Sequence, residues 1–208
     1  MSLSKRQIRK TVVAQRSQMT QQQLDSAALK LALTARGYAP LMRAERIASY
    51  IPVRGEISPQ QIMRSIAPTK SYLPVITDFK AGAMKFCEAE TATLRQPLHK
   101  QHLISNVPLN CYGIPEPVVN QTPINPRMLD VVLVPLVAFD TAQNRLGMGA
   151  GFYDRVFEFK LWLPACKRPL LIGLAHDFQE SNDIDAASWD VPLDVIITPS
   201  KIVGHDKL

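Results

Sequence analysis

Three glycines fall within the five residues Gly147-Met148-Gly149-Ala150-Gly151, with Arg145 two residues before the first and Asp154 three after the last. Glycine lets the backbone adopt φ > 0 and approach a ligand closely, which presents bare amides to an anion. With a cation on one flank and a Mg2+-type carboxylate on the other, these parts suit the phosphates of a nucleoside triphosphate. Tyr153-Asp154-Arg155 would open a helix whose first amides face the same anion. The run lacks the Gly-Lys-Ser/Thr of a P-loop and is one residue shorter than G-x-G-x-x-G, so it matches neither familiar signature. Taken alone, a glycine-rich turn serves equally well as plain structure.

A loop of this kind needs rigid elements behind it. Asp130 to Val134, Leu170 to Leu174 and Asp194 to Thr198 are continuous apolar runs, the pattern of strands buried on both faces of a parallel sheet. The glycine run is expected to be entered from the first of them, and Phe152 to Trp162 to be the helix joining it to the second. Upstream, Arg46 to Ile51 predicts a strand, Ser58-Pro59 a helix entry continuing to Ala67, Ser71 to Ile76 a strand despite Pro74, and Met84 to Cys87 a short edge strand. Before these, Ile8, Val12 and Met19, then Leu24, Ala27, Ala28, Leu31 and Ala35, recur at helical spacing with a break and N-cap at Thr20. Thr93 to Arg127 reads mostly as loop, with a short helix near Leu98 to Ile104. The expected fold is therefore α/β: a mainly parallel sheet with helices on both faces, Rossmann-like in three layers, preceded by a helical segment, all in one domain over residues 1–208.

Composition sets the bounds. With 46% hydrophobic residues in 208, the chain has the material for one substantial core. The formal net charge of +6 suits anionic partners but equally a solvated surface, and no nucleic-acid reading motif accompanies it. Cys87, Cys111 and Cys166 are odd in number and far apart, which signals neither a disulfide framework nor a zinc site and fits a reducing cytoplasm. No export signal and no membrane-length apolar run is present in the sequence. His99, His102, His176 and His205 form no metal-ligand spacing, and His176-Asp177 reads as a surface loop pair.

Val134-Pro135-Leu136-Val137-Ala138-Phe139-Asp140, a short turn, and then Arg145 through Arg155 closely resemble the signature of the 5-formyltetrahydrofolate cyclo-ligases, also called methenyltetrahydrofolate synthetases. In the family's order stand also Lys5-Arg6-Gln7-Ile8-Arg9, Ile51-Pro52-Val53-Arg54-Gly55-Glu56, Tyr112-Gly113-Ile114-Pro115-Glu116-Pro117 and Trp189-Asp190-Val191-Pro192-Leu193-Asp194. The resemblance covers nearly the whole chain. It implies a cytoplasmic enzyme that uses ATP and Mg2+ to close 5-formyltetrahydrofolate, with or without a polyglutamate tail, into 5,10-methenyltetrahydrofolate. No nucleic-acid or membrane partner is expected, and the chain is expected to be a monomer or weak homo-oligomer.

Carried onto this chain, the resemblance gives Lys5, Arg6 and Arg9 to the ATP phosphates. Arg145, Leu146, Gly147, Met148, Gly149, Ala150, Gly151, Phe152 and Tyr153 would form the nucleotide loop, with Arg145 and Asp154 catalytic. Asp154 and Asp190 would hold the metal, Asp194 being the weaker second candidate because it opens a buried strand. Glu56 would accept from the donor-rich pterin edge, and Ile51, Tyr112 and Phe152 would wall the ring. Judged singly, each has a plainer reading: a solvated basic face for Lys5 and Arg9, a helix-entry carboxylate for Glu56, a dipole partner for Asp154, core packing for Tyr112 and Phe152.

Two positions depart from the family pattern: Ala150 stands where Gly or Lys is common, and Phe152 where Tyr is common. An ATP-dependent enzyme acting on another N-formyl or thiamine-like heterocycle, and a non-enzymatic folate- or nucleotide-binding regulator, are the rival readings. Retention of Glu56 and of the Arg145/Asp154 pair favours the first reading over both.

Overall fold

The computed structural model describes residues 4–89, 113–114, 116, 122–163, 165–182 and 184–204. The expected short helix at Leu98 to Ile104 lies outside the described residues. Two helices open the chain, α1 (Lys5–Ser17) and α2 (Gln21–Ala35). Each starts on a capping box, Ser4 with Gln7 and Thr20 with Gln23, whose side chains satisfy otherwise orphaned amides. The one-turn helix α3 (Ala39–Met42) follows, with proline in its first turn.

Strand β1 (Arg46–Ala48) then leads through α4 (Gln60–Ile66) to β2 (Lys70–Asp78), and β3 (Ala83–Ala89) returns antiparallel to it. β1 is shorter than its apolar run, because beyond Ala48 the chain leaves the sheet to line a cavity. Helix α4 begins one residue later than expected, with Pro59 at the N-cap position and Ser58 Oγ accepting from the Gln60 amide at 3.3 Å. Pro74 is tolerated because β1 pairs only with Lys70 to Tyr72, so beyond them β2 is bonded on the β3 side alone.

The second half contains β4 (Val131–Pro135), the hairpin β5 (Ala138–Phe139) and β6 (Arg145–Leu146), α5 (Phe152–Phe157), α6 (Phe159–Trp162), β7 (Leu170–Leu174), β8 (Val195–Ile197) and β9 (Ile202–Val203). The large sheet has the order β3-β2-β1-β4-β7-β8-β9, parallel except at its two edge strands. Its parallel part runs to one side of β1 and then to the other, so β1 and β4 flank a topological switch point.

Alternation along the strands explains the three layers. Ile47, Val131, Leu133, Ile172, Val195 and Ile197 face a core shared with Leu31 and Ala35 of α2 and Ile62 of α4. Their neighbours Ala48, Val132, Val134, Leu171 and Ile196 face the opposite core, closed by Phe157 of α5. Gly173 leaves room on that second face, where a Cβ would lie 2.5 Å from Leu193 Cδ1.

Two further expectations are corrected. The glycine run does not follow β4 directly: the β5–β6 hairpin intervenes, and Arg145 and Leu146 belong to its second strand. The helix expected over Phe152 to Trp162 breaks at Glu158 into two short pieces, with α5 only six residues long. So short a helix adds little dipole, and anion binding at the loop falls to side-chain cations and loop amides.

Candidate active site

A cavity of about 690 Å³ opens at the switch point, bounded by the chain leaving β1, the chain leaving β4, the glycine loop and one face of α1. Lys5 and Arg9 share that face because residues four apart on a helix stack one above the other. Arg9 Nε donates to Gly147 O at 2.9 Å, fastening the helix to the loop. α1 is seated by Ile8 and Val12 against Val137, Ala138 and Leu146 of the hairpin region. Gly149 takes φ +103° and Gly151 φ +70°, conformations that carry the loop past Arg9 and into α5.

Arg145 Nη2 donates to Asp154 Oδ1 at 2.5 Å, and the same oxygen accepts from the Val191 amide at 3.1 Å. Asp154 Oδ2 takes no hydrogen bond among the described residues. The Arg145 side chain is 7% exposed, and its Nε is buried without a partner among the described residues. Asp190 lies beside it on the cavity wall, accepting from the Ala187 amide at 2.9 Å, with Lys5 Nζ 3.8 Å from its Oδ2. Asp194 is structural: its Oδ2 accepts from the Leu171 amide at 2.7 Å and pairs with Lys160 at 3.1 Å.

Glu56 occupies the other end. Its Oε2 accepts from the Val53 amide at 3.1 Å, and its Oε1 lies 3.8 Å from Arg16 Nη1. Burial pushes its carboxyl above the usual range, opposed by the Val53 hydrogen bond and by Arg16 and Arg54. Glu56 lines the cavity four residues before α4 begins, so it is no helix-entry group. Ile51, Phe152 and Tyr153 line the same cavity; burial, with Glu56 nearby, drives the Tyr153 phenol upward.

Of the expected residues, Lys5, Arg9, Ile51, Glu56, Asp154, Asp190 and the whole run from Arg145 to Tyr153 line this one cavity. Arg6 does not: one residue from Lys5 it is turned about 100° around α1 and is exposed. Tyr112 lies outside the described residues. His176 is not a surface residue but 2% exposed, stacked on Phe178, with Nε2 3.1 Å from Gly55 O. Since a carbonyl only accepts, Nε2 carries the proton, and the ring fixes the turn that bears Glu56. Arg16 and Tyr50 are cavity residues that the sequence left unmarked. Their polar ends sit on apolar periodicities, so only the assembled fold reveals them.

Among the described residues no three His, Cys, Asp or Glu side chains gather into a protein-only metal site. The unbonded Asp154 Oδ2 with the neighbouring Asp190 suits Mg2+ instead, which binds through one or two carboxylates plus substrate phosphates.

A doubly wound sheet with a cleft at its switch point, lined by Lys5, Arg9 and Arg145 with Asp154 and Asp190 in one part and by Glu56 with Arg16 in another, defines an α/β protein of the ligand-cleft class. The chain belongs to the 5-formyltetrahydrofolate cyclo-ligase family, whose model matches residues 1–199, and it is a ligase. The 5-formyltetrahydrofolate cyclo-ligase of Escherichia coli (strain K12) is 32% identical over 190 residues, 90% of this chain and 96% of that one. That of Haemophilus influenzae is 32% identical over 200 residues, 93% and 97% of the two chains. The fold matches the 5,10-methenyltetrahydrofolate synthetase of Aquifex aeolicus with a TM-score of 0.73 at 23% identity, over 97% of this chain and 92% of that one. It matches the Mycoplasma pneumoniae synthetase with a TM-score of 0.68 at 21% identity, over 95% and 99%.

Proposed function

We propose that this enzyme, working as one domain, uses ATP with Mg2+ to cyclise 5-formyltetrahydrofolate to 5,10-methenyltetrahydrofolate, releasing ADP and phosphate. The observation that carries this reading is the union, in one cavity, of a phosphate-type end at Lys5, Arg9 and Arg145 and a carboxylate-bearing apolar end at Glu56, Ile51 and Phe152.

The chemistry asks for both ends. The formyl oxygen attacks the γ-phosphorus and the bond to ADP breaks, giving an iminium phosphate. N10 then adds to the activated carbon, the carbon–oxygen bond breaks with departure of phosphate, and N10 gives up its proton to solvent or to the leaving phosphate. Such a reaction depends on positioning and on charge compensation more than on a protein nucleophile. Arg145 and the loop amides hold the β- and γ-phosphates, Lys5 and Arg9 complete the clamp, and Glu56 fixes the pterin edge. Asp154 and Asp190 would hold the metal, whose charge would offset that of the phosphate oxygens. With Ala150 in the loop, the clamp relies there on backbone alone.

The test is turnover: purified protein, ATP, Mg2+ and 5-formyltetrahydrofolate should give the near-ultraviolet absorbance of the methenyl product, and omission of ATP should abolish it. No product at any substrate concentration overturns the reading. The charge of +6 also favours an anionic polyglutamate tail, and equal affinity for mono- and polyglutamylated substrate at low salt refutes that refinement.

A further inference from the structure

Arg16 ends the same helical stripe as Lys5 and Arg9. At about 100° per residue the three lie within about 40° of one another around α1, and Arg16 stands about 16 Å along the axis from Lys5. One helix face therefore reaches both ends of the cavity. Arg16 is 2% exposed, and its Nε and Nη1 are buried with no hydrogen-bond partner among the described residues. The counter-charge facing Nη1 is Glu56 Oε1 at 3.8 Å, too far for a hydrogen bond. A guanidinium is seldom buried in this state unless its charge is used.

Two close approaches fix the geometry. A Cβ on Gly55 would lie 2.7 Å from Arg16 O, so glycine there lets the turn bearing Glu56 lie against the end of α1. His176 holds the same glycine from the other side through its carbonyl. We infer that Arg16 is a positioning residue for the folate half of the reaction: it acts through Glu56, supplying the charge that faces and orients that buried side chain to accept hydrogen bonds from the pterin's amino and ring N–H donors. This rests on the proposed folate reading of the cavity.

Glu56 is faced by Arg16 from α1, by Arg54 from its own turn, by Tyr50 from beyond β1, and by Tyr153 from α5; His176 stands behind Gly55. Burial raises the Glu56 carboxyl and Arg16 lowers it, so removing the cation moves its protonation to higher pH.

The experiment first establishes wild-type turnover, whose absence would defeat the functional reading itself and is thus distinct from failure of this one. In Arg16→Met the KM for 5-formyltetrahydrofolate should rise at least about tenfold while the KM for ATP stays within about twofold. The acid limb of the folate KM profile should move to higher pH, and do so also in a His176→Gln background, which separates it from histidine titration. Arg16→Lys should restore the limb, and Arg16→Met should add no further loss to Glu56→Gln. Arg16→Gln carries the same expectation should the methionine variant not fold. An unmoved folate KM and acid limb in a folded variant, or equal rises in both KM values, overturns the inference.

Discussion

Arg145 and Asp154 are joined by a 2.5 Å charge-assisted hydrogen bond that spans the glycine loop, tying the last strand of the hairpin to the first turn of α5. The bond leaves the other carboxylate oxygen of this cavity-lining residue without a hydrogen bond among the described residues, so the pair can brace the loop and still serve a phosphate-bound cation.

Asp154→Asn should therefore act twice. It should lower kcat on the order of a hundredfold by removing charge that compensates the phosphates, and lower stability by about 1–3 kcal/mol by leaving Arg145 without its anion. Steady-state kinetics at several Mg2+ concentrations and a thermal melt read the two effects separately. Full activity in this variant removes Asp154 from the metal role.

Gly55→Ala should selectively harm the folate end. The new Cβ meets the backbone oxygen of Arg16 at 2.7 Å, and φ of +73° disfavours any side chain. A loss of about 1–3 kcal/mol in stability is expected. In the surviving enzyme the folate KM should rise while nucleotide binding is preserved, measurable by isothermal titration with a non-hydrolysable ATP analogue.

His176 predicts a pH dependence of stability. Burial first, then Arg16, holds the ring below the ordinary histidine value, against the Gly55 hydrogen bond and Asp177. The unfolded ring takes a proton as pH falls through about 6.5 while the folded ring stays neutral. Its contribution is thus present above the unfolded value and erodes as pH drops from there towards the lower folded one. Melting temperature should fall over that range, and His176→Gln, whose amide can still donate to Gly55 O, should flatten this component.

Asp130 should matter for the sheet and not for chemistry. Burial alone would raise its carboxyl, but hydrogen bonds from the Arg46 and Glu45 amides and the Arg46 guanidinium outweigh it and hold it below the usual range. This stabilisation is present above the unfolded carboxylate value and is lost as pH falls through the folded one. Asp130→Asn should cost about 1–3 kcal/mol by chemical denaturation, with both KM values unchanged.

The parallel core was legible because Asp130 to Val134, Leu170 to Leu174 and Asp194 to Thr198 are apolar on both faces, which few structures other than a covered strand accommodate. The cavity residues of the signature were legible as a group, since Arg145 to Asp154 is contiguous. The hairpin was hidden because β5 and β6 have two residues each, too few for a period to show. β9 and α3 are similarly brief. His176 was expected at the surface and Arg16 went unmarked for another reason: a charged or polar side chain gives no local sign of burial when the groups around it arrive from distant segments, here Gly55 and Glu56.

α1 is seated through the small cluster of Ile8 and Val12 on the hairpin and joins neither large core of the sheet. In energetic terms the cationic wall of the cleft is expected to behave as a separate cooperative unit that opens while the sheet stays intact. Amide protons of α1 should exchange with solvent ahead of those in β4 and β7. Ligands touching Lys5, Arg9 and the Arg16–Glu56 pair would then slow that exchange and fold the wall into the cooperative whole.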